Sequence, residues 1–356
     1  MHSGMTGLLI FLIPFAVTLF ILPRFASIAS ELGLVDHPNY RKVHAVAKPL
    51  VGGLGMSLGV AFGCLLFLPL TNMRGYYAGA ILLVVIGFFD DFREVNHRMK
   101  FVAQIVSAVL VIYFSNVSLH TFGDLLHIRA INFPALTVPM TVIGFVGVIN
   151  AINMIDGVDG LAGGISLIAF ISFGYLAYLD SHRDLLLLSI ALSGVIVAFM
   201  RYNWHPSRLF MGDAGSLFLG FSAAFVSVAL TQEPNSIARP VAPLLILTVP
   251  IVDTLTVMTK RLMKGKSPFY PDKTHLHHIL LKFGFSKQQT VAIMLCMSAA
   301  FSSVALAGTL LDVPEYYLFF LFLSYFFVYF ISSFFIRSVL LKRKRNARLH
   351  ARMTGL

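Results

Sequence analysis

What this chain can fold into is set first by a train of apolar stretches separated by short polar gaps. They run near Leu8–Leu22, Val51–Leu70, Tyr76–Phe89, Phe101–Phe114, Val138–Ile155, Leu161–Leu179, Leu185–Met200, Gly215–Leu230, Val241–Thr259, Gln289–Leu310 and Tyr316–Val339. A bilayer is crossed by a helix of about 20 apolar residues. Charged residues make up only 12% of the chain, against about 25% in ordinary soluble domains. The expected fold is an all-α polytopic membrane protein with about 11 transmembrane helices. The first stretch carries no charge before it and no small-residue cleavage site after it, so it reads as a retained helix. Cys64 and Cys296 both fall in apolar stretches and read as small core residues, neither a disulfide framework nor a zinc site. Residues 1–340 form one integral-membrane catalytic domain in this reading, and 341–356 a basic tail.

Charge placement predicts orientation. All of the 27 Lys and Arg except Arg74, Arg129, Arg183 and Arg239 fall on alternate connections and the C-terminal tail. The positive-inside rule puts that side, and the C-terminus, in the cytoplasm. An odd helix count then puts the N-terminus outside. The tail KRKRNARLHAR reads as an anchor meeting anionic headgroups, and without interleaved aromatics it gives no case for nucleic acid.

The acidic residues cluster on the same side: Asp90-Asp91, Asp156 and Asp159 in INAINMIDGVDGLAGG, Asp213 in FMGDAGS, Asp36 and Asp272. Ionisable groups at the edge of a membrane bundle mark function. Asp156 and Asp159 share a face if their segment is helical. Asp90 and Asp91 are adjacent, so at least one points into the bundle. Several carboxylates at one depth suit a hard divalent cation, and magnesium usually takes one or two carboxylates plus substrate phosphates. The connection KRLMKGKSPFYPDKTHLHH adds cations and imidazoles for oxyanions. His275 and His278, three apart, share a face if helical. A transition-metal role for the histidines is a minor alternative. Gly52, Gly53 and Gly55, with Gly212 and Gly215, read equally as close helix packing or as phosphate-binding helix starts. Asp253, two turns inside its stretch, is a site residue or a buried partner.

Six strings in order, LVDHPNYRKVH, KPLVGG, the Asp90-Asp91 pair, NMIDGVDGLAGG, FMGDAGS and KGKSPFYPDKTHLHH, resemble the polyprenyl-phosphate N-acetylhexosamine-1-phosphate transferases. The resemblance covers nearly the whole chain. It is strongest to the WecA type; the peptidoglycan MraY type has three consecutive histidines, and the Gram-positive TagO type shares HLHH. It implies transfer of GlcNAc-1-phosphate from UDP-GlcNAc to undecaprenyl phosphate in the bacterial inner membrane, with Mg2+, or Mn2+ in its place, and a homodimer as the oligomer. It implies that the lipid-linked product starts an envelope polysaccharide of the enterobacterial common antigen or O-antigen type.

By position, the resemblance implies Asp213 and Asn153 as metal ligands, with Asp156 as ligand or catalytic carboxylate beside them. Asp159 is the uracil reader, Phe210 the stacking ring, Asn203 a nucleoside contact and Lys48 a phosphate contact. His275, His277, Arg261 and Lys266 hold the pyrophosphate or sugar, with His278 at the reacting group. Asp90 and Asp91 are the base or the positioners of the lipid phosphate. Where some relatives carry a further aspartate after the pair, this chain has Phe92-Arg93-Glu94. A cation-coupled transporter is the competing class, but transporter sites sit at the midplane between repeats, and no repeat is present here.

Overall fold

The structure is a computed structural model that describes residues 2–36, 47–233, 236–267 and 274–353, the side chains of 2, 3, 72 and 336–353 excepted. The strings at 37–46 and 268–273, including Asp272, lie outside the described residues, as do the tail side chains. Among the described residues there are thirteen α-helices: α1 (His2–Leu32), α2 (Gly52–Phe67), α3 (Leu70–Arg93), α4 (His97–Ser115), α5 (Thr137–Ile155), α6 (Leu161–Leu179), α7 (Arg183–Asn203), α8 (Gly212–Thr231), α9 (Val241–Ile246), α10 (Thr248–Met263), α11 (Leu276–Lys282), α12 (Lys287–Leu310) and α13 (Glu315–Met353). Two short strands, β1 (Val35–Asp36) and β2 (Lys48–Pro49), pair antiparallel.

Among the described residues, nine helices are long and apolar enough to cross a membrane. The other two expected spans fall on shorter helices. The stretch from Val51 forms α2, of 16 residues. The stretch from Val241 is broken at Leu247 into α9 and α10. Pro250 has no N–H for the carbonyl of Ile246, which removes one helical hydrogen bond at the break. The last helix continues past its apolar part to Met353, so the basic tail extends the same helix.

The core is built around α8, whose residues are almost all buried, with α2, α3, α5 and α6 packed on it. Its small residues permit backbone-to-backbone approach. A Cβ on Gly53 would lie 2.1 Å from the Gly215 nitrogen, and one on Gly87 would lie 2.4 Å from the Ala214 Cα. The glycines that open α2 and α8 therefore pack helix on helix. Two backbone bonds join them, from Gly52 N to Phe210 O and from Gly53 N to Met211 O. Cys64 is buried, whereas Cys296 on α12 is exposed, so only the first is a core residue. Local signals set the helix starts: Ser286 and Gln289 close a capping box on α12, and Asn96 accepts from Arg98 N to start α4.

Candidate active site

A cavity of about 850 Å³ opens where α3, α4, α5, α8 and the histidine segment converge. Asp90, Lys100, Asn153, Asp213, His277 and His278 are among its walls. Lys100, ten residues beyond Asp90, lies between two carboxylates. Its ammonium is 2.9 Å from Asp90 Oδ2 and 2.8 Å from Asp213 Oδ2. Asn153, in the last turn of α5, donates to Asp213 Oδ1 at 3.2 Å and to Ser216 Oγ at 2.7 Å. Gln104 and Asn150 exchange amide hydrogen bonds in the wall behind them.

The two adjacent aspartates have different jobs. Asp90 faces the cavity, where it also accepts from Val95 N at 2.7 Å. Asp91 turns the other way, under the first turn of α8, and accepts from Asp213 N at 2.7 Å and Ala214 N at 3.1 Å. A carboxylate there satisfies amides that the helix leaves unpaired and suits the positive end of the helix dipole. Gly212 makes this possible: its φ is +73°, and any Cβ would come within 2.4 Å of Asp91 Oδ2. In this geometry Asp91 fixes the start of α8, and with it Asp213, and presents no free oxygen edge as a base.

The turn between α5 and α6 is not helical, so Asp156 and Asp159 do not share a face. Asp159 points toward the segment that follows α7. There it meets His205 Nδ1 at 3.2 Å, Ser207 N at 3.4 Å and Lys48 Nζ at 3.7 Å. Burial pushes its carboxyl up, but Ser207, Lys48 and His205 outweigh that and hold it below the usual range. Lys48 also donates to Ser207 Oγ at 2.6 Å and lies over the Phe210 ring, 4.8 Å from its centre. The β-bridge between Leu50 and Phe210 brings these distant residues together. Asp156 has the opposite environment. Burial, then the charges of Asp213 and Asp159, push its carboxyl up to about 7.

Among known proteins, the family model described as Glycosyl transferase family 4 matches residues 73–231. The undecaprenyl-phosphate alpha-N-acetylglucosaminyl 1-phosphate transferase of Pasteurella multocida (strain Pm70) is 34% identical over 90% of this chain and 91% of its own. The probable undecaprenyl-phosphate N-acetylglucosaminyl 1-phosphate transferase of Bacillus subtilis (strain 168) is 32% identical over 83% of each. The Escherichia coli (strain K12) undecaprenyl-phosphate alpha-N-acetylglucosaminyl 1-phosphate transferase is 32% identical over 85% of this chain and 84% of its own.

The chain belongs to the family-4 glycosyl transferases. In this family-4 chain the histidine string is not a simple helix face. His275 precedes α11 in an extended conformation, so it cannot share a helical face with His278. Asp253 holds it there: His275 Nδ1 lies 2.9 Å from one carboxylate oxygen, and Leu276 N and Tyr329 Oη donate to the other at 2.9 and 2.7 Å. Asp253 is thus a buried anchor joining α10, α11 and α13. His277 is buried, with Nδ1 unpartnered, and a Cβ on Gly157 would come within 2.6 Å of its Nε2. Burial, then the neighbouring His278, push its imidazole down to about 3, so it is neutral and not a cation for oxyanions. His278 is the half-buried imidazole of the three.

Of the other expected contacts, Asn203 is buried and uses both ends of its amide on backbone, accepting from Gly160 N and donating to Leu209 O. It shapes the wall beside Asp159. Arg261 Nε donates to Ser267 O at 2.7 Å, holding the start of the connection, and Lys266 is exposed; neither lines the cavity. Asp156 does not line it either. Lys100, His205 and Ser207 are site residues that sequence reasoning missed. Their partners are 113 residues away for Lys100 and Asp213, and 46 for His205 and Asp159.

Proposed function

We propose that this chain transfers GlcNAc-1-phosphate from UDP-GlcNAc to undecaprenyl phosphate, giving undecaprenyl-pyrophosphoryl-GlcNAc and UMP. The observation that carries the reading is the convergence of Asp90, Lys100, Asn153 and Asp213 on one cavity, in a chain whose relatives bear that activity in their names. Phosphoryl transfer is chiefly a matter of positioning and charge stabilisation, and this cluster supplies both. An oxygen of the lipid phosphate attacks the β-phosphorus, and the bond from that phosphorus to the bridging oxygen of UMP breaks. The second pKa of a phosphate monoester is about 6, so the acceptor needs no strong base. Asp90 orients the lipid phosphate or takes its residual proton, and Lys100 offsets charge on the pyrophosphate oxygens. Asp159, with Phe210 beside it, takes the uracil.

The donor set fits magnesium. Asp213 and Asn153 both line the cavity and Asp90 stands across Lys100 from Asp213, with no cysteine in the lining and no preformed cage of three His, Cys, Asp or Glu among the described residues. A site offering one or two carboxylates and completed by substrate phosphate is how magnesium is usually held. Asp213 and Asn153 would hold it, and when bound it would supply positive charge that offsets charge developing on departing UMP. Charge asymmetry supports the cytoplasmic face of the bacterial inner membrane as the site's location, with the N-terminus outside and the C-terminus inside. The membrane domain would then cover 1–340, and the product would start a lipid-linked envelope polysaccharide.

Release of UMP from UDP-GlcNAc, dependent on both undecaprenyl phosphate and magnesium, tests the reading. If no UDP-N-acetylhexosamine yields UMP, it fails. Capture of a labelled phospho-sugar enzyme after UDP-GlcNAc alone would replace direct displacement by a covalent route.

A further inference from the structure

A second cavity, of about 740 Å³, lies between α1, α7 and the turn that follows α7, and shares no lining residue with the 850 Å³ cavity. Three arginines line it: Arg24 from α1, Arg201 from the last turn of α7 and Arg208 from the far side of the turn. All three are exposed, and no acidic side chain lines the cavity. Among the described residues, Arg24 Nη1 donates to its own helix, at Phe20 O, and no side-chain partner faces Arg201 or Arg208. Elsewhere two half-buried lysines are paired, Lys100 with two carboxylates and Lys48 with Asp159. Like charges held together without counter-charge repel one another, so this cluster calls for an anion.

Backbone geometry holds the cluster. Arg208 N donates to Tyr202 O at 2.7 Å, closing the turn and bringing its flanks together. Tyr202 Oη donates to Leu19 O at 3.0 Å, fastening α7 to α1. The rest of the lining is Leu19, Phe20, Pro23 and Ser27 of the first membrane helix, with Tyr202; Leu19 and Phe20 give it an apolar side. A cationic rim above an apolar helix face at the end of a membrane span has the chemistry of a lipid headgroup site. We propose that Arg24, Arg201 and Arg208 bind the phosphodiester headgroup of an anionic membrane lipid, with its acyl chains along Leu19 and Phe20.

The test uses the full chain in bilayers and the one tryptophan, Trp204, which is exposed on the same turn. Mixed phosphatidylcholine–phosphatidylglycerol bilayers are prepared with bromine on the chains of either lipid, at equal mole fraction. Brominated phosphatidylglycerol should quench Trp204 more than brominated phosphatidylcholine. The preference should fall roughly five-fold in relative binding for each arginine neutralised and vanish in R24Q/R201Q/R208Q. It should persist in R74Q/R183Q, which removes equal charge per site from another part of the chain, and in added inorganic phosphate. Equal quenching by the two lipids, loss of preference in R74Q/R183Q, or survival in the triple variant would each overturn the proposal. Displacement by inorganic phosphate would make this a site for a soluble anion and overturn the lipid assignment. Retained size-exclusion behaviour and UMP release of the triple variant show that it is folded.

Discussion

Two ion-pair clusters hold the candidate site residues, the first lining the cavity and the second outside its lining, and they are built on different kinds of backbone. Asp90, Lys100, Asn153 and Asp213 stand on α3, α4, α5 and α8, whose relative positions are fixed by close packing on α8. Lys48, Asp159, His205 and Ser207 stand on a short strand, a turn and the segment after α7. Groups on packed helices hold reacting atoms to tight tolerance, while loops adapt to a ligand. The first cluster therefore suits bond making and breaking, the second recognition of the nucleotide.

The strongest way to break that contrast is to damage the helix cluster. Asp213→Asn and Lys100→Met should each lower kcat for UMP release by about 10²- to 10³-fold, the usual cost of removing one preorganised charge from a reacting centre. No magnesium concentration should restore Asp213→Asn. Near-normal kcat in either variant would remove the helix cluster from the chemistry.

Next comes the pair Asp90 and Asp91, which should separate by readout. Asp91→Ala should lose stability, on the order of 1 kcal/mol for a lost helix cap, together with activity, because Asp213 loses its anchor. Asp91→Asn, which can still accept one of the two amide hydrogen bonds, should recover part of both. Asp90→Ala should lose turnover without a comparable fall in melting temperature. Identical profiles for the two alanine variants would show that the division between them is wrong.

That division was not legible in the sequence. Asp90 and Asp91 are neighbours in one string, and their roles diverge only because α3 packs one face on the start of α8 and turns the other to the cavity. The apolar stretches disclosed the helices and their order because lipid demands long runs with internally satisfied backbone. They did not disclose the break at Leu247, where proline chemistry and tertiary packing decide. Asp213, Asn153 and Asp159 were legible through the strings that carry the family resemblance. Lys100 read as one loop charge among many, since only the fold sets it between Asp90, ten residues back, and Asp213, 113 residues on. Asp253 read as undecided because its three donors come from His275, Leu276 and Tyr329, two segments of chain well beyond it.

A smaller effect is expected from the loop cluster. Asp159→Ala should raise KM for UDP-GlcNAc about 10-fold, the cost of about one charge-assisted hydrogen bond, and leave kcat within about threefold. A fall in kcat without a change in KM would place Asp159 with the reacting groups and erase the contrast between helix and loop.

The smallest effect tests the neutral imidazole in the cavity wall beside Gly157. His277 is depressed to about 3 in the folded chain, against about 6.5 when unfolded. Between those values the unfolded chain holds more protons, so this group subtracts from stability as pH falls and restores it as pH rises. The melting temperature of the wild-type protein should therefore drop more between pH 8 and pH 5 than that of His277→Gln. The two curves should converge toward pH 8, where both side chains are neutral. Parallel curves would mean that His277 takes up its proton in place, and that the segment between α5 and α6 yields to admit water, making this wall of the cavity as adaptable as the nucleotide loops.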